Sequence, residues 1–434
     1  MKRTMAGELA AHIGQEVTLK GFLHAARALG QITFLVMRDR TGLAQIILEG
    51  AQKDILDGLH TGTILEVHGK VVEAPNSKLK VELHDAQVRV IREVTYVSPV
   101  VISKEELNVE LDTLLDQRVV TLRHPHQSAI FKVAATVEKH IRDFLCNQDF
   151  TQINSPKIIA FPTEGGSEVF EVEYFDKKVY LAQSPQFYKQ MMVPIFERVF
   201  EIGHSYRAEN SNTSRHMSEI LMLDVEMGFI DSLDDVLTLA EQMIKYAAHK
   251  TFIENSELFE LLDIDPPLLM NPIPRITVTE LHKLMLEHMG EDHTSELDVA
   301  PSEERFICEY AKEHWSSDAV FVTEFPWSDA KFYHYQNTEN PKVADRADLL
   351  FKGVEIATLT RREVNYHKLC EQITSKGASI DNPGLVHYLD AFKYGMPDSG
   401  GFGFGMARFV QKLLNLANVK EAELFPRDVQ RVTP

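Results

Sequence analysis

Between residues 15 and 95, apolar and polar side chains alternate with a period of two, in short runs separated by turn residues. Glu16–Leu23, Ile32–Arg38, Leu43–Leu48 and Thr63–Val72 carry the alternation, and Val81-Glu82-Leu83 begins a fifth run. Arg40-Thr41-Gly42 marks the turn into the third run. Such runs predict half-buried β-strands. After residue 96 the pattern lapses through Ser98-Pro99, the Lys104-Glu105-Glu106 run and His124-Pro125. It returns with a helical period from Ser128 to Cys146, where Ile130, Val133, Val137, Ile141 and Leu145 share one face. Mixed strands, helices and loops follow, without internal repeats.

Five short strands in about 80 residues fit a small closed barrel such as an OB-fold, although another small barrel or sandwich has the same periodicity. The expected class is α+β. The expected organisation is a five-stranded OB-fold β-barrel over residues 1–97, a linker or hinge over 98–125, and a larger domain over 126–434. A chain of 434 residues, 44% of them hydrophobic, has ample core for two or three domains. No stretch of 18 or more apolar residues predicts a membrane span, and residues 1–8 lack the apolar core of a signal peptide. Cys146, Cys308 and Cys370 are too scattered for a disulfide framework or a metal motif, so a reducing cytoplasm is expected.

The formal charge of −19 speaks against a nucleic-acid partner, until its distribution is considered. Residues 1–100 hold 12 basic and 11 acidic side chains, against 33 and 53 in the remainder. The first module is near neutral and could meet RNA through local basic groups.

Four segments carry candidate chemistry. Tyr206-Arg207-Ala208-Glu209, a polar loop to Arg215-His216, and the returning Ile220–Met227 run have the shape of a hairpin. Its Arg207, Arg215 and His216 can donate to phosphate oxygens, with Glu209 and Asp224 beside them. Taken alone, it could equally be a solvated hairpin with surface ion pairs. Gly400-Gly401-Phe402-Gly403-Phe404-Gly405 leads to Arg408 and is no Walker A loop, since no Lys-Ser/Thr follows. Asp348 and Glu355 are two acids able to share a Mg²⁺ ion with phosphate oxygens. Gln183–Gln190 contains Gln186 and Lys189, and Arg362 follows Glu355 by seven residues.

Together these segments resemble the ordered motifs of class II aminoacyl-tRNA synthetases, in particular the aspartyl branch in its shorter, archaeal/eukaryotic-like form. The Arg207 hairpin resembles motif 2, the glycine strand with Arg408 motif 3, and Phe150–Pro156 motif 1. Leu424–Asp428 through Pro434 is similar to that branch's C-terminus. The resemblance covers residues 14–434 and implies a catalytic domain over 126–434, an antiparallel sheet flanked by helices. It implies ATP-dependent attachment of L-aspartate to tRNA through an aspartyl-adenylate, with ATP and Mg²⁺ as cofactors. Arg207 would hold the α-phosphate and the amino acid carboxylate, Arg215 and His216 the distal phosphates, Glu209 the adenine side, and Arg408 the adenine and γ-phosphate. Asp348 and Glu355 would hold the metal, Glu355 also lying in the ATP site. Lys189 and Arg362 would face the aspartate side chain, Gln186 the backbone end of the substrate, Thr358 would line the aspartate pocket, and Glu164 and Asp224 would meet its ammonium. Two cations aimed at one carboxylate disfavour neutral asparagine. The barrel would read the anticodon through Arg27, Phe34 and Gln45, with Phe34 stacking on a splayed base. His24 is associated with enzymes that also charge the asparagine tRNA. Motif 1, around Pro156, would build a homodimer.

The chain departs from the family's usual pattern at Leu359-Thr360-Arg361, where small residues are common, and at Ala407, Ile220 and Phe22. Leu359 and Thr360 are expected to narrow the floor of the site. The rival readings are a paralogue that uses asparagine or another acceptor, and a non-catalytic RNA-binding relative.

Overall fold

The computed structural model describes residues 2–162 and 168–433, in two compact units, 1–128 and 129–434. In the first, five strands close into a ring: β1 (Glu16–Leu29), β2 (Ile32–Arg38), β3 (Leu43–Glu49), β4 (Ile64–Glu73) and β5 (Val81–Arg92). Their order is β1-β2-β3-β5-β4, with β4 pairing back onto β1. All pairings are antiparallel except β3 with β5. The period-two alternation places Leu19, Leu35, Ile46, Leu48, Leu65, Val67 and Leu83 inside, where they form one buried cluster. A β-bulge between Leu23 and Ala25 interrupts the alternation and turns His24 inward as well, to 5% exposure. The segment expected to be a linker is packed: Val100, Ile102, Leu114 and Leu115 are buried, and it belongs to the first unit.

The second unit is built on an eight-stranded sheet. Its strands are β6 (Thr151–Gln152), β7 (Arg198–Tyr206), β8 (Glu219–Gly228), β9 (Arg275–Thr277), β10 (Ala319–Thr323), β11 (Arg346–Phe351), β12 (Val354–Arg361) and β13 (Ser399–Gly405). The order is β9-β10-β11-β12-β13-β8-β7-β6. The six central strands are antiparallel as expected, and the two short edge strands pair parallel to their neighbours. Helices α1 (Pro125–Asn147) and α2 (Leu233–Glu254) contribute to one face of the core. Ile130, Val133, Val137 and Ile141 of α1, and Leu237, Met243 and Ile244 of α2, pack with Leu223, Val225, Leu359, Phe402 and Phe404 of the sheet.

The alternation along β13 divides its two faces. Phe402 and Phe404 are fully buried in the core, so Gly401, Gly403 and Gly405 fall on the opposite face. Gly401 is required by packing, because a Cβ there would collide with the Val225 carbonyl and the Glu226 carboxylate. At Gly403 a Cβ would meet only Asp224 Oδ1 and Met222 Cε, both at 3.7 Å. Strand β13 is therefore solid toward the core and bare toward the other side, leaving a trough roughly two inter-strand spacings, about 10 Å, wide.

Candidate active site

Cross-strand register sets the side chains around the trough. Directly opposed residues share a face, so Asp348, Thr358, Gly403 and Asp224 form one row. Arg346, Thr360, Gly401 and Glu226 form the next. Above them lies a cavity of about 560 Å³, lined among others by Arg207, Glu209, Arg215, Gln186, Asp224, Glu355, Thr358, Arg362 and Arg408. The structure thus brings together residues from four separate sequence segments.

One end of the cavity is cationic. Arg207 follows β7 directly, and its guanidinium stays 3.6 Å from Glu209. Helix α3 (Met406–Leu413) begins as β13 ends and carries Arg408, which donates to the Glu355 carbonyl at 3.0 Å. Burial, together with Arg408, Arg215 and Arg207, holds the His216 imidazole below its usual pKa against the pull of Glu209. His216 Nδ1 is hydrogen-bonded to the Thr213 hydroxyl at 2.6 Å. Arg215 does not reach freely into the cavity: its Nη1 donates to both oxygens of the buried Glu304, at 2.9 Å each.

The other end is a buried, charge-balanced quartet. Lys189 Nζ donates to Asp224 Oδ1 and to the Phe402 carbonyl, both at 2.9 Å, and lies 3.7 Å from Glu226. Arg362 grips Glu226 with two parallel bonds, Nε at 2.8 Å and Nη2 at 2.9 Å, and its Nη1 donates to the Thr360 hydroxyl. The fork expected for a substrate carboxylate is thus held by Glu226. Lys189, 1% exposed, sits beneath the cavity rather than on its wall. Glu226 was not singled out in the sequence, yet Asp224-Val225-Glu226 on a strand necessarily places both acids on one face. The Gln186 side-chain nitrogen is buried without a partner, as is His334 Nδ1.

Asp348 and Glu355 lie on adjacent antiparallel strands. Arg346 Nη2 donates to Asp348 at 2.9 Å, and the Thr358 hydroxyl donates to Glu355 at 2.9 Å. Burial, with the charges of Glu355 and Asp298, raises the Asp348 carboxyl above its usual range, against Arg346. Burial also opposes ionisation of Glu355, but Arg408, the Thr358 hydroxyl, Arg346 and Arg207 hold its carboxyl low. Among the described residues no three His, Cys, Asp or Glu side chains gather as a metal-binding group. A Mg²⁺ ion held partly by phosphate oxygens needs only one or two carboxylates, and the buried Asp348 with the partly exposed Glu355 fits that donor set.

The expectation that Leu359 narrows the floor is corrected: it points into the core, fully buried. Thr360 does line the cavity. Arg361 turns away, over the Tyr335 ring at 4.2 Å and 3.1 Å from Asp398. Glu164 lies outside the described residues. In the first unit, Arg27 opposes Phe34 in register, Phe34 opposes Ile47, and Gln45 donates to Glu82 at 2.7 Å, so Arg27, Phe34 and Gln45 share the outer face of the ring. His24 is not on that face, being buried at the bulge. Burial, then the nearby charges of Arg38 and His124, lower its pKa to about 4.

Residues 110–429 match the tRNA synthetases class II (D, K and N), and residues 17–91 the OB-fold nucleic acid binding domain. An aspartate–tRNA(Asp/Asn) ligase of Thermus thermophilus is 41% identical over 432 residues, covering 100% of both chains. An aspartate–tRNA(Asp) ligase of Pyrococcus abyssi is 34% identical over 97% of each chain. The crystal structure of asparaginyl-tRNA synthetase from Pyrococcus horikoshii complexed with asparaginyl-adenylate superposes with a TM-score of 0.91 at 28% identity, covering 100% of both chains. Aspartyl tRNA synthetase from Entamoeba histolytica gives 0.89 at 25% identity, covering 100% of this chain and 93% of the other.

Proposed function

We infer the function from the premise that this chain belongs to the class II tRNA synthetases (D, K and N). It is an aspartate–tRNA ligase: it uses ATP to activate L-aspartate and transfers the aspartyl group to tRNA held by the OB-fold unit. The observation that carries this reading is the polarity of this cavity. Arg207 and Arg408, each only loosely paired with Glu209 and Glu355, stand at one end, and a buried Lys–Asp–Glu–Arg quartet at the other.

In the first step the α-carboxylate of aspartate attacks the α-phosphorus of ATP, forming the aspartyl-adenylate as pyrophosphate leaves. Arg207 stabilises charge developing on the α-phosphate, while Arg408 and His216 face the leaving pyrophosphate. Asp224 and Gln186 orient the amino acid, and Thr358 lines its pocket. Lys189 and Arg362 supply the positive field for the side-chain carboxylate. Asp348 and Glu355 would hold Mg²⁺, which supplies charge neutralisation and orientation of the phosphates when bound. In the second step the 3′-terminal ribose hydroxyl of tRNA attacks the carbonyl carbon and AMP leaves. Fixed positive charge and positioning supply the catalysis, without a protein nucleophile.

The proposal extends to both aspartate and asparagine tRNAs, supported by the dual specificity in the name of the Thermus relative. Phe34, Gln45 and Arg27 read the anticodon, and His24 acts from beneath that face through its shape. A homodimer through the exposed segment around Pro156, and a cytoplasmic setting suited to three free cysteines, complete the reading. Aspartate-dependent ATP–pyrophosphate exchange tests it, with asparagine as control. Exchange with aspartate, lost in Arg207→Ala, is expected. Exchange with asparagine alone would transfer the reading to the asparaginyl branch, and none with either would leave an RNA-binding relative.

A further inference from the structure

Many charged side chains of the first unit are matched by partners. Lys20 and Arg89 share Glu66, Lys78 meets Glu105, and His84 and Gln45 meet Glu82. Asp39 accepts hydrogen bonds from the backbone of Ala6 at 2.7 Å and from the backbone and hydroxyl of Thr41 at 2.8 and 2.6 Å. Arg38 and Arg123 differ. Among the described residues, neither guanidinium has a hydrogen bond or an ion pair, although the two lie near each other. Burial, with the Arg123 charge added to it, lowers the Arg38 pKa, and Asp39 offsets only part of this. The His24 ring beside them is buried, with Nδ1 unpartnered.

Register places the pair. Phe34, Val36 and Arg38 point outward from β2 while Leu35 and Met37 point in. Arg38 therefore continues the face that carries Phe34, about 13 Å further along the strand. It lies over the ring of Phe22, its cross-strand partner, at 5.1 Å, and that ring is 37% exposed. Arg123 enters from the segment before α1, and its Nη1 is 3.3 Å from the position of a Cβ on Gly62. The Gly62 amide is bonded to the Leu23 carbonyl, next to His24 in sequence.

We propose that Arg38 and Arg123 form a binding site for a backbone phosphodiester of tRNA, beyond the anticodon-reading residues on the same face. Two neighbouring guanidinium groups that no carboxylate bonds, and that Asp39 offsets only in part, repel each other, and a bound anion removes that cost. Their planar forks suit phosphate oxygens, and the exposed ring beneath Arg38 offers a stacking surface. In a chain of net charge −19, such a local cation pair supplies attraction that the whole protein does not. The site rests on the reading of the first unit as the tRNA-binding unit.

The test is tRNA binding by the full chain as a function of salt, for both aspartate and asparagine tRNAs. Each phosphate contact removed lowers the log–log salt slope by about one. Arg38→Gln and Arg123→Gln should each do so and weaken binding severalfold, equally for the two tRNAs. Arg38→Lys and Arg123→Lys should keep the slope, and thermal midpoints confirm the fold of each variant. Unchanged slopes in the Gln variants, or an equal loss in the Lys variants, would overturn the site alone. A wild-type protein that does not bind tRNA would overturn the reading of the first unit together with the site.

Discussion

Replacing Lys189 with Met probes the buried quartet most directly. Lys189→Met keeps the apolar stem but removes the ammonium from Asp224 Oδ1 and from the Phe402 carbonyl, each now at 2.9 Å. Breaking a buried pair by removing one partner costs about 3–5 kcal/mol, because the remaining charge stays desolvated. With about 2.1 cal/mol/K of unfolding entropy per residue, the second unit would lose roughly 6 °C in Tm for a 4 kcal/mol loss. Both tryptophans, Trp315 and Trp327, belong to that unit, so their fluorescence follows its unfolding selectively. Asp224→Asn alone should also destabilise, since it leaves the ammonium underpaired. The double variant, with neither charge, should lose at least about 2 kcal/mol less than the sum of the two. A single-variant loss below about 1 kcal/mol, or additive losses, would refute the reasoning that this pair is desolvated and mutually dependent.

Gly403→Ala should fold normally, its Cβ meeting neighbours at 3.7 Å, but raise the KM for aspartate or ATP by about tenfold as the trough fills. Gly401→Ala should instead lower Tm, because its Cβ collides with the Val225 carbonyl. Glu355→Gln should raise the Mg²⁺ concentration needed for half-maximal pyrophosphate exchange by about tenfold, measured by Mg²⁺ titration at fixed ATP; an unchanged requirement would remove Glu355 from the metal site. For His24, burial lowers the folded pKa from 6.5 to about 4, so the unfolded chain binds the proton more readily. First-unit stability should be full above pH 6.5 and fall by up to roughly 3 kcal/mol as pH drops toward 4. Calorimetry of the wild type against His24→Asn, whose curve should be flatter, measures this.

The elements with strong periodicity were legible from sequence. The period-two runs gave the ring and the helical face from Ile130 to Leu145 gave α1, while the strand at Gly400–Gly405 was legible only through its likeness to motif 3. What remained hidden depends on register and on partners distant in the chain. Glu226 holding Arg362, and Glu304 holding Arg215, are pairings across 136 and 89 residues that no local pattern contains. Leu359 was expected in the floor of the site, but it neighbours Thr358 and Thr360 on a strand, and alternation sends it to the core. His24 entered through the family resemblance alone, and the bulge that buries it has no signature in the local pattern. Residues 98–125 lack a regular period, yet short helical turns bury Leu114 and Leu115.

The place of β13 in the sheet has a consequence for how the protein is made. It is the last of the eight strands to be synthesised and lies between β12 and β8, so the ribosome delivers both flanking groups of strands before the strand that joins them. Until then, β12 and β8 each present an unpaired edge and an apolar face, a combination that invites association with other chains. A product terminated before residue 399 would hold Arg207, Asp224 and Arg362 but no floor to set them against one another. Activity therefore appears only once translation has passed the glycine strand, and shortened products should be inactive and prone to capture by chaperones.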